Sequence, residues 1–118
     1  MGDLKAIGEE LAAWGKVAML ETRGRRSGRP QLAAVGFIEA EDGSLLVAAG
    51  SEATDWALNL RAESRCRTTI GEKTVDYLAH EVDDMVRARA VTDLILKYGT
   101  PAERLGRGPV FRLQPKID

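Results

Sequence analysis

The sequence predicts an α+β fold: a mainly antiparallel, six-stranded sheet curled into a closed or nearly closed barrel, with helices covering its ends. Three observations carry that expectation. Short β-rich runs follow one another across turns at Arg23–Pro30, Glu41–Ser44 and Gly71–Lys73, instead of alternating with helices as a parallel sheet requires. Six short strands would leave exposed edges, which closure into a barrel hides. Finally, 44% hydrophobic and 30% charged residues in a chain of 118 supply one core and one polar surface, so residues 1–118 are expected to form a single domain.

The elements follow in order. Leu4, Ile7, Gly8 and Leu11 share one helical face, which predicts a short amphipathic helix over Leu4–Trp14 with Asp3 as its cap. Val17–Thr22 and Gln31–Ala40 read as strands around the long turn Arg23–Pro30. Glu41–Ser44 is a hairpin turn, and Leu45–Ala49 is a third strand. Thr54 or Asp55 can cap a helix over Trp56–Ala62 that turns Trp56, Ala57 and Leu60 inward. Cys66–Ile70 and Thr74–Val82 make a second hairpin. A longer helix capped by Asp83 or Asp84 carries Val91, Leu94, Ile95 and Tyr98 as its apolar stripe and stops at Gly99 and Pro101. Val110–Leu113 is the last strand.

Composition excludes several classes. A formal net charge of -1 gives no global attraction to nucleic acid or anionic membrane. A lone Cys66 forms no internal disulfide and supplies no metal-ligand spacing, which fits the reducing cytoplasm. His80, the single imidazole, has no second ligand or triad partner at a useful spacing. No apolar run reaches the length of an integral membrane segment.

One segment departs from the mild acidity of the rest. Between Lys16 and Gly36 five basic residues face one acid, a local balance of +4. Within it, Gly24–Pro30 combines glycines that let backbone approach a ligand (Gly24, Gly28), three guanidinium forks (Arg25, Arg26, Arg29) and the Ser27 hydroxyl, with Pro30 fixing the entry to the next strand. That chemistry suits an anion. It is neither a Walker A loop, lacking the Gly-Lys-Ser/Thr ending, nor a dinucleotide fingerprint, because a strand follows it. No aromatic stacking platform accompanies the arginines, which argues against nucleic acid. The pattern alone leaves a solvated hairpin loop equally open.

The run from Leu20 to Pro30, then Leu46–Ala49 with Gly50-Ser51, then Trp56–Ala62, then Gly108–Leu113, resembles the deazaflavin-dependent nitroreductase family in order and over most of the chain. The resemblance implies a split β-barrel like that of the flavin-binding pyridoxamine phosphate oxidases. It implies coenzyme F420 as cofactor and hydride transfer from the reduced deazaflavin to a small-molecule electron acceptor such as a quinone, nitroaromatic or enone. By position, Arg25, Arg26, Ser27, Gly28, Arg29 and Pro30 would meet the phosphate and polyglutamate tail. Ala48, Ala49, Gly50 and Ser51 would lie along the ring, and Trp56, Asn59 and Leu60 would close its base. Split barrels of this kind often pair through their sheets, so a homodimer is among the expected assemblies.

The departures fall on the acceptor side. Ala57 stands where relatives carry Tyr, Glu63-Ser64 where they carry Asn-Pro, and the segment from Gly50 to Asp55 is short. Of a tyrosine cluster that caps the acceptor pocket only Tyr98 remains. It is the one candidate proton donor, with coverage of the barrel end as its structural reading. An FMN-binding split barrel and a non-catalytic carrier of a cofactor or lipid-like ligand are the alternatives.

Overall fold

In the computed structural model, which describes residues 15–99 and 107–116, the chain runs β1 (Ala18–Arg23), β2 (Pro30–Val35), β3 (Phe37–Glu39), β4 (Leu45–Ala48), α1 (Asp55–Ala62), β5 (Arg65–Ile70), β6 (Lys73–Glu81), α2 (Asp84–Tyr98) and β7 (Val110–Pro115). The helix expected over Leu4–Trp14 and the stop at Pro101 lie outside the described residues. All pairings are antiparallel, in the order β2-β1-β5-β6-β7-β4-β3.

That order explains why there are seven strands where six are expected. The single run Gln31–Ala40 is broken at Gly36: its first half pairs with β1 at one edge of the sheet, and its second half pairs with β4 at the other. Two edges joined by one residue must meet in space, so the sheet curls into a barrel that is closed covalently at Gly36. Away from that corner β2 stays paired with β1 but leaves the core, and its burial falls from Val35 at the corner to the exposed Pro30, Gln31 and Leu32.

The last turn of α2 holds the corner shut. A Cβ on Gly36 would lie 3.1 Å from the Tyr98 ring, so any other residue would push that ring back by a few tenths of an ångström. The Tyr98 hydroxyl donates to the Lys16 carbonyl at 2.8 Å and accepts from the Phe37 amide at 3.1 Å. Lys97 Nζ donates to the Phe37 carbonyl at 2.7 Å while resting 3.6 Å above the Phe37 ring centroid, a cation–π contact.

Alternation then sorts the side chains. The inward set, including Leu20, Val35, Phe37, Val47, Tyr77, Phe111 and Leu113, fills the barrel, and α1 closes it with Ala57 and Leu60. A smaller outer cluster forms where Ala90 and Leu94 of α2 cover Ala48 and Val110, joined by Val91, Ile95 and Tyr98. The longer helix therefore flanks the barrel wall rather than covering an end. Its expected cap is present, with Asp83 accepting from the Val86 amide at 2.9 Å, and Gly99 ends it at φ 93°. Gly43 and Gly71 supply the positive φ that the two hairpin turns require. Among the described residues no helix is long and apolar enough to cross a membrane.

Candidate functional site

The loop from Gly24 to Pro30 is a built structure rather than a slack connection. Gly24 N donates to the Arg29 carbonyl and Gly28 N to the Gly24 carbonyl, both at 2.8 Å, so the loop closes on itself. Arg29 N reaches Ser27 Oγ at 3.1 Å, and Arg23 Nη1 reaches the Gly28 carbonyl at 3.1 Å. The two glycines serve different needs. Gly28 has φ 71° with open space where a Cβ would stand; Gly24 is buried, and a Cβ there would meet Ser27 Oγ at 2.6 Å and the Arg29 carbonyl at 3.2 Å. Ser27 is thus spent partly on the loop's own backbone.

The three arginines divide. Arg25 turns back into the protein: its backbone N and its Nη1 both donate to Asn59 Oδ1, at 3.1 and 2.9 Å, and its Nη2 pairs with Asp55 at 3.2 Å. Asn59, fully buried on α1, donates its own Nδ2 to Thr22 Oγ1 at 3.1 Å and to Gln31 Oε1 at 2.8 Å. Every hydrogen-bonding position of that amide is filled by loop, strand or loop-end groups, as a buried amide requires. Arg26 and Arg29 are exposed and form no ion pair among the described residues. The site therefore presents two guanidinium forks and an open glycine at the surface, while a third arginine and a buried amide hold them in place. Such a donor set fits a phosphate or carboxylate chain.

The second expected part, the end of β4, lies at the same helix. Ala48 and Ala49 are buried, and Gly50, Ser51, Glu52 and Ala53 are exposed. The Ala49 amide is taken by the Pro109 carbonyl at 2.9 Å and the Ser51 amide by Thr54 Oγ1 at 3.2 Å, which leaves the Gly50 and Glu52 amides as donors without a partner among the described residues. Thr54 is the N-cap of α1 by position, but its hydroxyl serves this turn and makes no cap bond to the helix. Gly108 lies directly against the turn: a Cβ on it would collide with the Ala49 carbonyl and come within 2.8 Å of the Ser51 amide. Opposite, Trp56 is half-buried and tilted at 59° to Phe111, with 6.1 Å between centroids, so it belongs to the rim of the barrel core.

The structure thus brings Arg25 and Asn59 into contact and sets Asp55, which Arg25 grips, directly after the turn that follows β4. It records no contact between Arg26, Ser27 or Arg29 and Ala48–Ser51. Tyr98 stands at the Gly36 corner with its hydroxyl engaged by backbone. Sequence reasoning missed Thr22, Gln31 and Asp55 as loop supports. Asp55 and Asn59 lie four apart on one face of α1, the spacing that could have paired them with a basic loop.

Other titratable groups serve structure. Cys66 is buried, and its thiol is pushed up to about 12 by desolvation and the charge of Asp76, which outweighs any help from Arg65 and Arg67. A cleft of about 220 Å³, where outward Glu21, Arg67 and Asp76 meet the buried Thr22, Cys66 and Tyr77, touches the expected set only at Pro30. Its charges are largely self-paired, Arg65 with Glu63 at 2.6 Å and Arg67 with Asp76 at 2.6 Å, and both carboxyls sit below their ordinary range because of the arginine hydrogen bonds.

Comparison with known proteins gives this geometry a family. Among solved structures, the heme storage protein HutZ from Vibrio cholerae superposes with a TM-score of 0.71 at 21% identity, covering 99% of this chain and 93% of its own. An F420-H2 dependent reductase, FDR-A, gives 0.71 at 21% identity, with 84% of this chain and 94% of that one covered. A provisionally named pyridoxamine 5'-phosphate oxidase from Listeria innocua gives 0.67 at 13% identity over 98% and 95%. At these identities the likeness establishes the fold, an α+β split barrel of the pyridoxamine phosphate oxidase type. The profile of the F420H(2)-dependent quinone reductases matches residues 3–107, and of the two cofactors expected from the sequence this selects coenzyme F420 over FMN. The chain belongs to the F420H(2)-dependent quinone reductase family, and its cofactor is coenzyme F420.

Proposed function

We propose that the protein passes a hydride from reduced coenzyme F420 to a small-molecule acceptor, a quinone first and a nitroaromatic or enone by the same chemistry. The observation that carries this reading is the division among the arginines. Arg26 and Arg29 stand exposed and without ion pairs among the described residues, on a loop held by the buried Asn59 amide, so charge for an anionic tail is presented in advance of binding. When bound, the coenzyme supplies the hydride from its C5 carbon.

The residues of this chain do the holding. Arg26 and Arg29 receive the phosphate and carboxylates of the tail; Gly28 lets them approach without a side chain in the way. Asn59 acts through the loop rather than on the ligand because all its hydrogen-bonding positions are engaged, and Arg25 because its amide, Nη1 and Nη2 are turned onto Asn59 and Asp55. At the end of β4 the exposed Gly50 and Ser51 would meet the ring, with the unpartnered Gly50 amide as a donor for it, while Ala48 and Ala49 are buried behind them and Trp56 would bound the site.

Ala57 is buried in the barrel core and Tyr98 stands at the Gly36 corner, so neither supplies a wall for the acceptor. Tyr98 donates its proton to the Lys16 carbonyl, so water protonates the reduced acceptor. Mixing the protein anaerobically with reduced coenzyme and a soluble quinone is expected to restore oxidised deazaflavin absorbance in proportion to quinone consumed, with a rate that Tyr98→Phe changes less than about threefold. Coenzyme binding without turnover on quinones, nitroaromatics or enones would identify a carrier instead.

A further inference from the structure

We propose that α1 carries two separate clasps, and that Arg61, through Glu52, is the positioning residue for the turn that meets the deazaflavin ring. This rests on the reading above of where the coenzyme lies.

Asp55 and Asn59 occupy one face of α1 and hold the arginine loop. Arg61 lies two residues beyond Asn59, about 200° around the helix, and so points to the other side. There it binds Glu81 at the end of β6 with both prongs, Nε to Oε1 and Nη2 to Oε2, each at 2.8 Å. The same Nη2 reaches Glu52 Oε2 at 3.0 Å. The fork geometry fixes the guanidinium on the sheet and leaves one N–H edge for the turn. This pairing holds the Glu81 carboxyl below its ordinary range, first through the Arg61 hydrogen bond and against a smaller opposing effect of burial.

Apart from the Gly108 backbone that backs its start, the turn has little else outside itself to fix it. Gly50, Ser51, Glu52 and Ala53 are exposed, and the Ser51 and Thr54 hydroxyls are spent inside the turn, on Ala53 N at 3.2 Å and Ser51 N at 3.2 Å. Glu52 is the one side chain of residues 50–53 that bonds outside the turn among the described residues. Cutting it frees the turn while Arg61 remains on Glu81. The two clasps share no partner, so loop and turn respond independently.

The experiment compares wild-type protein, Glu52→Gln and Arg61→Lys, first without ligand by hydrogen exchange and then by fluorescence titration with coenzyme F420. Glu52 is exposed and its ion pair is a surface one, so its removal is expected to shift Tm by less than about 2 °C. Exchange across residues 50–54 is expected to quicken in Glu52→Gln while residues 24–30 keep the wild-type rate. Coenzyme affinity is expected to fall about three- to tenfold, with the emission of the bound ring moved toward that of the free coenzyme and the salt dependence unchanged. Arg61→Lys, which keeps the charge without the fork, is expected to fall between the two. Unchanged exchange across 50–54 overturns the proposal, as does Glu52→Gln binding with wild-type affinity and emission. Failure of the wild-type protein to bind coenzyme removes the ring placement alone, and the exchange result still decides the clasp.

Discussion

The two segments that flank α1 are held by different physics. The arginine loop hangs on a buried amide whose four hydrogen bonds are all made inside the protein; the turn after β4 hangs on an exposed carboxylate and on its own hydroxyls. A buried, saturated amide is expensive to disturb, because removing it leaves several partners desolvated and unpaired. A surface ion pair is cheap to disturb. The loop is therefore the rigid one of the two segments and the turn the adjustable one, whichever part of the coenzyme each would meet.

The comparison breaks most visibly at Asn59. Asn59→Ala strands the Arg25 amide, the Thr22 hydroxyl and the Gln31 amide, and is expected to cost on the order of 2–4 kcal/mol in urea unfolding. It should also abolish micromolar binding of the coenzyme. Gly108→Ala attacks the turn from behind, where the Ala49 carbonyl and Ser51 amide leave no room; a loss of about 1–3 kcal/mol is expected, with the β4 end displaced. Tyr98→Phe cuts the bonds to Lys16 and Phe37 at the barrel corner while keeping the ring against Gly36, for about 0.5–1.5 kcal/mol by thermal melting.

Acid sharpens the same contrast. Glu81 has its folded value depressed by Arg61, so its contribution is complete above the unfolded value of 4.5 and is lost as pH falls through the depressed folded value. The turn is therefore expected to loosen as pH falls through the depressed Glu81 value, below 4.5, while the loop keeps its four Asn59 hydrogen bonds, which involve no carboxylate, even where the Arg25–Asp55 pair is lost. Exchange of residues 50–54 and 24–30 measured against pH checks the order.

Much of the fold was legible because hairpins announce themselves locally. Gly43 and Gly71 mark turns whose backbone only glycine adopts easily, and alternation did the rest. The break at Gly36 was missed: a glycine inside a strand run is a signal for a bend or a close approach, but only the tertiary structure shows that the two halves join opposite sheet edges and that the Tyr98 ring, sixty-two positions away, packs at the bend. For the same cause α2 was expected on a barrel end and lies along the wall. At the candidate site the chemistry of Gly24–Pro30 could be read as anionic recognition, but not which arginine faces outward. That depends on Asn59, an amide whose burial among Ala57 and Leu60 only the tertiary structure decides. Glu52 and Arg61, nine apart across a helix start, gave no periodic signal.

The central claim is that Arg26 and Arg29 hold the ligand while Arg25 and Asn59 hold the loop. Its most direct test is a fluorescence titration of coenzyme F420 into wild-type protein, Arg26→Ala with Arg29→Ala, and Arg25→Ala, each paired with a melting curve. The double variant is expected to melt within about 2 °C of wild type, to bind about 10- to 100-fold more weakly, and to lose most of the salt dependence of binding. Arg25→Ala should lower Tm as well as affinity. A double variant that binds as tightly as wild type, or an Arg25→Ala protein of unchanged stability that no longer binds, contradicts the account.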